Sequence, residues 1–452
     1  MKKRLLFIWT IYFLVLGLSP VIPLSIDSAK DNAWASVQEA AQSKASGDQG
    51  QAIPPGAGIT IALPPADKAA SAAPAEGQPA PAKDAAPSPA SSPATSGTTD
   101  KQNADKQTAV VSPEIAKIQE FKSPVDPSFN SNETALKAIG RNVDLFTDRI
   151  REKFSIWLER SSRYIEIMKD ILREKQLPEE LVFLPIIESG FNLNAYSRAK
   201  AVGPWQFIAS TGKRYGLVID WWRDERRDPV KSTQAAAEYL KDLYKMFGSW
   251  NLALAAYNAG EGKISKALKR SGADSYWDLL NTKQIKSETK EYVPQYIAAT
   301  MIANTPEEYG FTNLDYHEPL EYDEVTLHHP MDIEVIAKCA EATVKEIREL
   351  NPELRRWSTP LNVSKYTIRI PSGSKEIFEK HMTEIPVGEL FTVGKYTARK
   401  GDTVKKIAKR TGVPVNAILA MNSMSGIERI SAGEEVKIPP KEKFTLDPDD
   451  KA

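Results

Sequence analysis

A chain of 452 residues, 41% of them hydrophobic, is long enough for roughly two to four domains with real cores. Lysine plus arginine and aspartate plus glutamate number 59 each, so no net field exists to attract nucleic acid. The single cysteine, Cys339, excludes an intramolecular disulfide.

The first element, residues 1–35, reads as an export signal peptide. Basic "MKKR" is followed by the apolar run "LLFIWTIYFLVLGL" and by Ala33 and Ala35, which fit a small-x-small cleavage site. The run is short for a membrane span and is closed by Pro20 and Pro23, so cleavage after Ala35 is expected; a retained leader acting as a membrane tether is the alternative. Residues 36–112 are rich in Ala, Pro and Ser. Such composition buries too little apolar surface to offset chain entropy, so a disordered, extended linker is expected.

Helical periodicity dominates 113–315. "NVDLFTDRIREKFSIWLERSSRYIEIMKDILREK" places apolar residues at helical spacing with charged faces between. In "LPEELVFLPIIESGFN", Leu181, Leu184 and Glu188 stand at i, i+3 and i+7, which puts a carboxylate on an apolar helix face. A helix is expected from Asp228-Pro229 to Gly248, and "SWNLALAAYNAG" reads as a short helix buried on every side. The carboxylate-rich "DWWRDERRDP" suits helix capping and an Asp/Arg network, although a second acid could sit among its four carboxylates.

The C-terminal part repeats itself. "IAKCAEATVKEIRELN" (336–351) aligns without a gap on "IAKRTGVPVNAILAMN" (407–422), and each is followed by a strand ending in "IP". Strand candidates also precede each copy, so two small β-α-α-β modules are expected, 322–372 and 391–440, ahead of a disordered tail, 441–452. The second has a helix start at Asp402 or Thr403 and a stop at Gly412; the first has Met331 and Glu341 at the equivalent places. The paired His328 and His329 show no ligand spacing and read as solvent-facing.

Chemistry is narrowed by what is missing. Between Asn132 and Gly310 there is no histidine and no cysteine, so Ser189 lacks a histidine base and a His/Cys metal site is excluded there. "AGEGKIS" and "STGKRYG" fall short of a phosphate-binding loop. Glu188 remains. Apolar surroundings and a helix C-terminus would both raise its pKa, leaving it protonated near neutrality and fit to protonate a glycosidic oxygen. A structural glutamate bonded to backbone satisfies the same pattern.

Residues 391–440, with "GDT", two short helices and Asn422, resemble a LysM module, a family that binds the N-acetylglucosamine-containing glycan of cell walls. Residues 322–372 match only in the core pattern and Asn351. The stretch "LVFLPIIESGFNLNAYSRAKAVGPWQFIASTGKRYGL", with "ALAAYNAG" and "ETKEYVPQY", resembles the family-1 lytic transglycosylases of the membrane-bound type D branch. That resemblance implies a lysozyme-like helical domain in a mainly α chain, with Glu188 as the catalytic residue. It also implies that Ser189, Ser197, Gln206, Tyr257, Asn258 and Tyr292 bind substrate; Trp205, Tyr257 and Tyr292 are available to stack on sugar rings. The implied function is that of an exported, periplasmic or envelope enzyme without metal or cofactor. It would cut the β-1,4 bond between N-acetylmuramic acid and N-acetylglucosamine in peptidoglycan, leave 1,6-anhydro ends and be held on the wall by LysM. A lysozyme-like muramidase and a non-catalytic wall-binding protein are the alternatives.

Overall fold

The computed structural model describes residues 113–444, apart from 124, 126, 427 and 428. The expected leader with its cleavage site, the linker and the tail beyond Phe444 lie outside the described residues.

The helical part opens with α1 (Pro113–Glu120) and α2 (Glu133–Asp144). Asn132 caps α2, its side chain accepting from the Ala135 amide at 3.0 Å. A π-type turn, Leu145–Arg149, then interrupts the long periodic stretch before α3 (Arg151–Glu174). The apolar spacing around Glu188 does not form one helix. A 3-10 turn, Glu179–Phe183, carries Leu181, and α4 (Leu184–Ser189) starts afresh with Pro185 in its first turn. Proline lacks the amide that a continuous helix would need there, so Leu181 and Glu188 sit on successive short elements.

After α5 (Ala209–Arg214) comes α6 (Pro229–Phe247), which has the expected ends. Asp228 accepts from the Val230 and Lys231 amides at 2.8 and 2.9 Å, and Gly248 stops the helix in the left-handed conformation. Next is α7 (Trp250–Ala259), buried from Asn251 to Ala256, followed by α8 (Glu261–Ser271), α9 (Tyr276–Leu280) and α10 (Ser287–Asn304). One apolar core joins these helices, with Phe154 and Met168 of α3, Leu240 of α6, Leu254 of α7 and Ile297 of α10 all buried.

Two β-α-α-β modules follow. In the first, β1 (Tyr322–Leu327) pairs antiparallel with β2 (Tyr366–Pro371), from Tyr322 opposite Pro371 to Leu327 opposite Tyr366, around α11 (Ile333–Cys339) and α12 (Val344–Leu350). A further helix, α13 (Lys375–Glu384), leads to the second module, where β3 (Gly394–Thr397) pairs with β4 (Glu435–Ile438) around α14 (Val404–Thr411) and α15 (Val415–Asn422).

The repeat is structural down to single bonds. Asn351 donates to the Ile347 and Arg369 carbonyls and accepts from the Arg369 amide; Asn422 does the same with Ile418 and Lys437. The shared asparagine is therefore a clip between the second helix and the last strand. Glu341 takes up the left-handed backbone, φ 52°, that Gly412 takes at φ 74° in the other copy. Thr403 caps α14, whereas Asp402 accepts from the Arg399 amide and Tyr396 hydroxyl and pairs with Arg410.

Candidate active site

Glu188 occupies the last turn of α4, half-buried, and Gly190 ends the helix at φ 59°. The ending is forced by packing. A Cβ on Gly190 would stand 2.2 Å from the Trp157 ring of α3, and the Gly190 carbonyl accepts from Arg160 at 2.7 Å.

Tyr292, from the first half of α10, donates its hydroxyl to Glu188 Oε1. Burial pushes the Glu188 carboxyl up to about 7; the Tyr292 hydrogen bond opposes this, and the charge of Glu288 adds to it. Burial, with the nearby Glu188 charge, drives the Tyr257 and Tyr292 phenols well above their ordinary value, so both remain hydrogen-bond donors. The site thus couples a carboxyl poised between acid and base to a permanently protonated phenol.

The "GPWQ" segment hangs between two helices. The Ser189 hydroxyl donates to the Pro204 carbonyl at 2.9 Å and to the Pro185 carbonyl at 3.3 Å, and Tyr257 of α7 donates to the Trp205 carbonyl at 2.7 Å. Gly203 has φ 84°, and a Cβ there would fall 1.8 Å from the Arg226 carbonyl, so only glycine fits. Gln206, itself at φ 50°, donates through Nε2 to the Gly203 carbonyl at 2.8 Å and weakly to that of Ala195 at 3.4 Å. Its Oε1 is left to accept. Asn258 accepts at Oδ1 from Thr289 at 3.0 Å, which leaves its amide group to donate. Ser197 lies one loop earlier, its hydroxyl accepting from the Ala201 amide at 3.0 Å.

One expectation fails. Trp205 is fully buried, its indole N–H donating to Thr233 at 2.8 Å, so it is a core residue and offers no face to a sugar. Tyr292 is 5% exposed and presents its hydroxyl rather than its ring. Among the three aromatics, only Tyr257 is partly exposed, and its ring packs against Tyr239 and Phe207.

Four carboxylates of "DWWRDERRDP" are committed elsewhere. Asp220 accepts from the Trp222 and Arg223 amides, Asp224 is forked by Arg226, Glu225 takes the Val218 amide and Lys231, and Asp228 caps α6. Arg160, Glu288 and Thr289 were not singled out from sequence; the last two lie in "ETKEY", one helical turn ahead of Tyr292. No group of side chains suited to a metal occurs among the described residues, and His328 and His329 are exposed.

Three family models match separate stretches of the chain. Residues 166–280 match the family model of the transglycosylase SLT domain, 321–387 that of the lytic transglycosylase MltD LysM-like domain, and 396–439 that of the LysM domain. The chain is 32% identical over 315 residues to membrane-bound lytic murein transglycosylase D of Escherichia coli K12, covering 64% of this chain and 69% of that protein. It is 37% identical over 115 residues to a putative tributyltin chloride resistance protein of Alteromonas sp. strain M-1, covering 25% and 56%. Among solved structures, it is similar to the 70 kDa soluble lytic transglycosylase of E. coli, at 20% identity and a TM-score of 0.30, over 42% of this chain and 31% of that one. A soluble lytic transglycosylase of Pseudomonas aeruginosa aligns at 21% identity and a TM-score of 0.28, over 32% and 24%.

Proposed function

The chain belongs to the membrane-bound lytic murein transglycosylase D family, and on that premise we infer that it cuts murein glycan strands with Glu188 as the proton-moving group. It is a peptidoglycan lytic transglycosylase with a lysozyme-like SLT domain and a LysM module. The observation that carries the assignment of Glu188 is its pairing with Tyr292 in a setting that pushes the carboxyl up to about 7.

In the proposed cycle Glu188 begins protonated and gives its proton to the oxygen that joins N-acetylmuramic acid to N-acetylglucosamine. The C1–O4 bond breaks, and positive charge at C1 is relieved by the neighbouring 2-acetamido group. Glu188, now a carboxylate that accepts from Tyr292, takes the proton of the C6 hydroxyl as O6 closes on C1. A 1,6-anhydro end results, and no water is consumed. One group suffices because the proton it loses in the first step returns in the second. Gln206 Oε1 and the Asn258 amide are a complementary acceptor and donor for the hydroxyl and acetamido groups, Tyr257 supplies the stacking ring, and Ser189 and Ser197 shape the loop that carries Gln206.

Burial supports both steps, since it keeps Glu188 protonated at the outset and excludes water from competing at C1. A muramidase would need a second carboxylate to direct water, and Glu288 is the carboxylate whose charge reaches Glu188. Glu188→Gln should bind murein normally and release no soluble fragments, whereas Glu288→Gln should remain active; loss of activity in both variants favours the muramidase.

The N-acetylglucosamine units of the wall are the proposed ligand of the second module, and the cell envelope is the proposed location. Export by the leader, with or without its retention as a tether, belongs to the same proposal. Among the described residues no helix is long and apolar enough to cross a membrane.

A further inference from the structure

The segment 220–228 meets the loop that carries Gln206 on one side and the first β-α-α-β module on the other. Toward the loop, Arg226 is buried, 5% exposed, and makes four side-chain hydrogen bonds. Nε and Nη2 fork onto Asp224 at 2.8 and 2.7 Å. Nη1 reaches the Lys200 carbonyl at 2.9 Å and the Phe207 carbonyl at 3.0 Å, which are the two shoulders of the loop that holds "GPWQ". The Arg226 carbonyl is also the atom against which Gly203 is packed. Arg227 adds a bond to Asn194 at 2.8 Å.

Toward the module, the same segment is zipped to 353–357. The Asp224 amide donates to the Glu353 carbonyl at 2.8 Å, the Arg355 amide to the Trp222 carbonyl at 2.9 Å, and Arg223 bridges Leu354. Arg356 donates to the Trp221 carbonyl at 2.8 Å and lies 4.2 Å from the centre of its ring. Arg369 of β2, 7% exposed at its side chain, pairs with Asp228 at 2.9 Å. At the matching place in the second module, Lys437 is exposed.

We propose that Arg226 is a positioning residue for the substrate cleft and that the first module braces the cleft through it. Asp224 is the pivot. Its amide is held by the module while its carboxylate holds the arginine that fixes both shoulders of the Gln206 loop. Arg226 touches no reacting atom; it sets where Gln206 and Ser197 meet the glycan, so its loss falls on substrate binding before chemistry. The first module has spent on this docking the strand face that the second leaves open.

The inference rests on the substrate site proposed above, so the deciding measurement is amide hydrogen exchange on the full chain, which does not depend on activity. The double variant Arg356→Met/Arg369→Met loosens the module without touching the cleft. Exchange in 195–207 should quicken by about 10-fold, the loss of roughly 1.4 kcal/mol of local protection. Exchange in α10 should stay unchanged, and Arg356→Lys/Arg369→Lys should restore the slow rate. In parallel, Arg226→Lys, which keeps an Asp224 pair but cannot span both carbonyls, should raise KM for a soluble glycan roughly 5-fold with kcat less affected and its pH limb unmoved. Unchanged exchange in 195–207 while 353–357 exchanges faster would overturn the proposal. So would equal quickening in α6 and α10, or a wild-type KM in Arg226→Lys. A wild-type enzyme with no murein activity would remove the functional reading and leave the exchange result standing on its own.

Discussion

In the proposed cycle the Glu188 carboxyl acts as an acid and then as a base, which requires a pKa near the working pH rather than at the ordinary carboxylate value. Burial supplies the rise to about 7, and Tyr292 limits it. The rising limb of protonation sets the pH dependence: the starting acid form is lost above about 7, so kcat/KM should fall on the alkaline side there. Glu188→Gln should lower activity by at least about 100-fold, the lower end for general acid–base catalysis. The same raised pKa costs stability. The folded state holds this proton more tightly than the unfolded state, so the contribution of Glu188 to stability is greatest at acid pH and declines as pH rises from the ordinary value of 4.5 through about 7. Glu188→Gln, which cannot ionise, should melt higher than the wild type at pH 8, with the difference closing toward pH 4; a constant difference across that range would contradict this origin of the shift. Tyr292→Phe removes the donor that favours the carboxylate, so the alkaline limb should move to higher pH and kcat should fall roughly 10-fold or more, the order of one charge-assisted hydrogen bond. Glu188 stood out as a candidate because a carboxylate broke an apolar pattern in a region without histidine, and the family resemblance turned that candidate into the proposed acid. Glu288 and Arg160 were not, since a charged residue on a helix gives no sign in sequence of what stands opposite it.

Among the elements, what was legible depended on whether local chemistry decided the outcome. The ends of α6 follow from Asp228, Pro229 and Gly248, each acting on its own backbone. The break between the 3-10 turn and α4 follows from Pro185, which the apolar spacing outweighed in reading the sequence. Trp205 was misassigned for a different reason: a tryptophan in a polar motif looks alike whether its ring meets a sugar or the core, and its burial with a bond to Thr233 of α6 decides between them. The shape of the site depends on two glycines whose need is equally tertiary, Gly190 beneath Trp157 and Gly203 against Arg226. Gly190→Ala adds a methyl to a left-handed residue that already abuts an indole. It should destabilise the protein by about 2 kcal/mol or more, read as a lower midpoint of urea unfolding. An unchanged midpoint would mean that Trp157 can swing away freely, and α4 would then not be fixed by that contact.

For the whole molecule, the repeat of two β-α-α-β modules was plain from the gapless alignment, but their docking was not. The contacts that join the parts are backbone hydrogen bonds at 222–224 and 353–355 and a tryptophan cluster drawn from 221, 222 and 357, which share no local pattern. The end of the described chain adds a strap: Lys443 pairs with Asp332 at 2.8 Å and Glu334 at 2.6 Å, and Phe444 lies 6.3 Å from the Trp221 ring. Truncation before Gly394 should therefore reduce retention on purified murein while leaving cleavage of short soluble glycans within about 3-fold, because Trp357 and Arg369 remain to hold the cleft brace. Loss of soluble-glycan cleavage on that truncation would show that the strap, and not the first module alone, supports the cleft. The central claim concerns the bond the intact protein makes at C1, and the most direct test is digestion of purified murein in water enriched in oxygen-18, followed by weighing of the released fragments. The account predicts muramic ends in the anhydro form, lighter by one water and without the heavy oxygen. Reducing muramic ends that carry it would contradict the account and place water, directed by a second carboxylate, at the centre of the reaction.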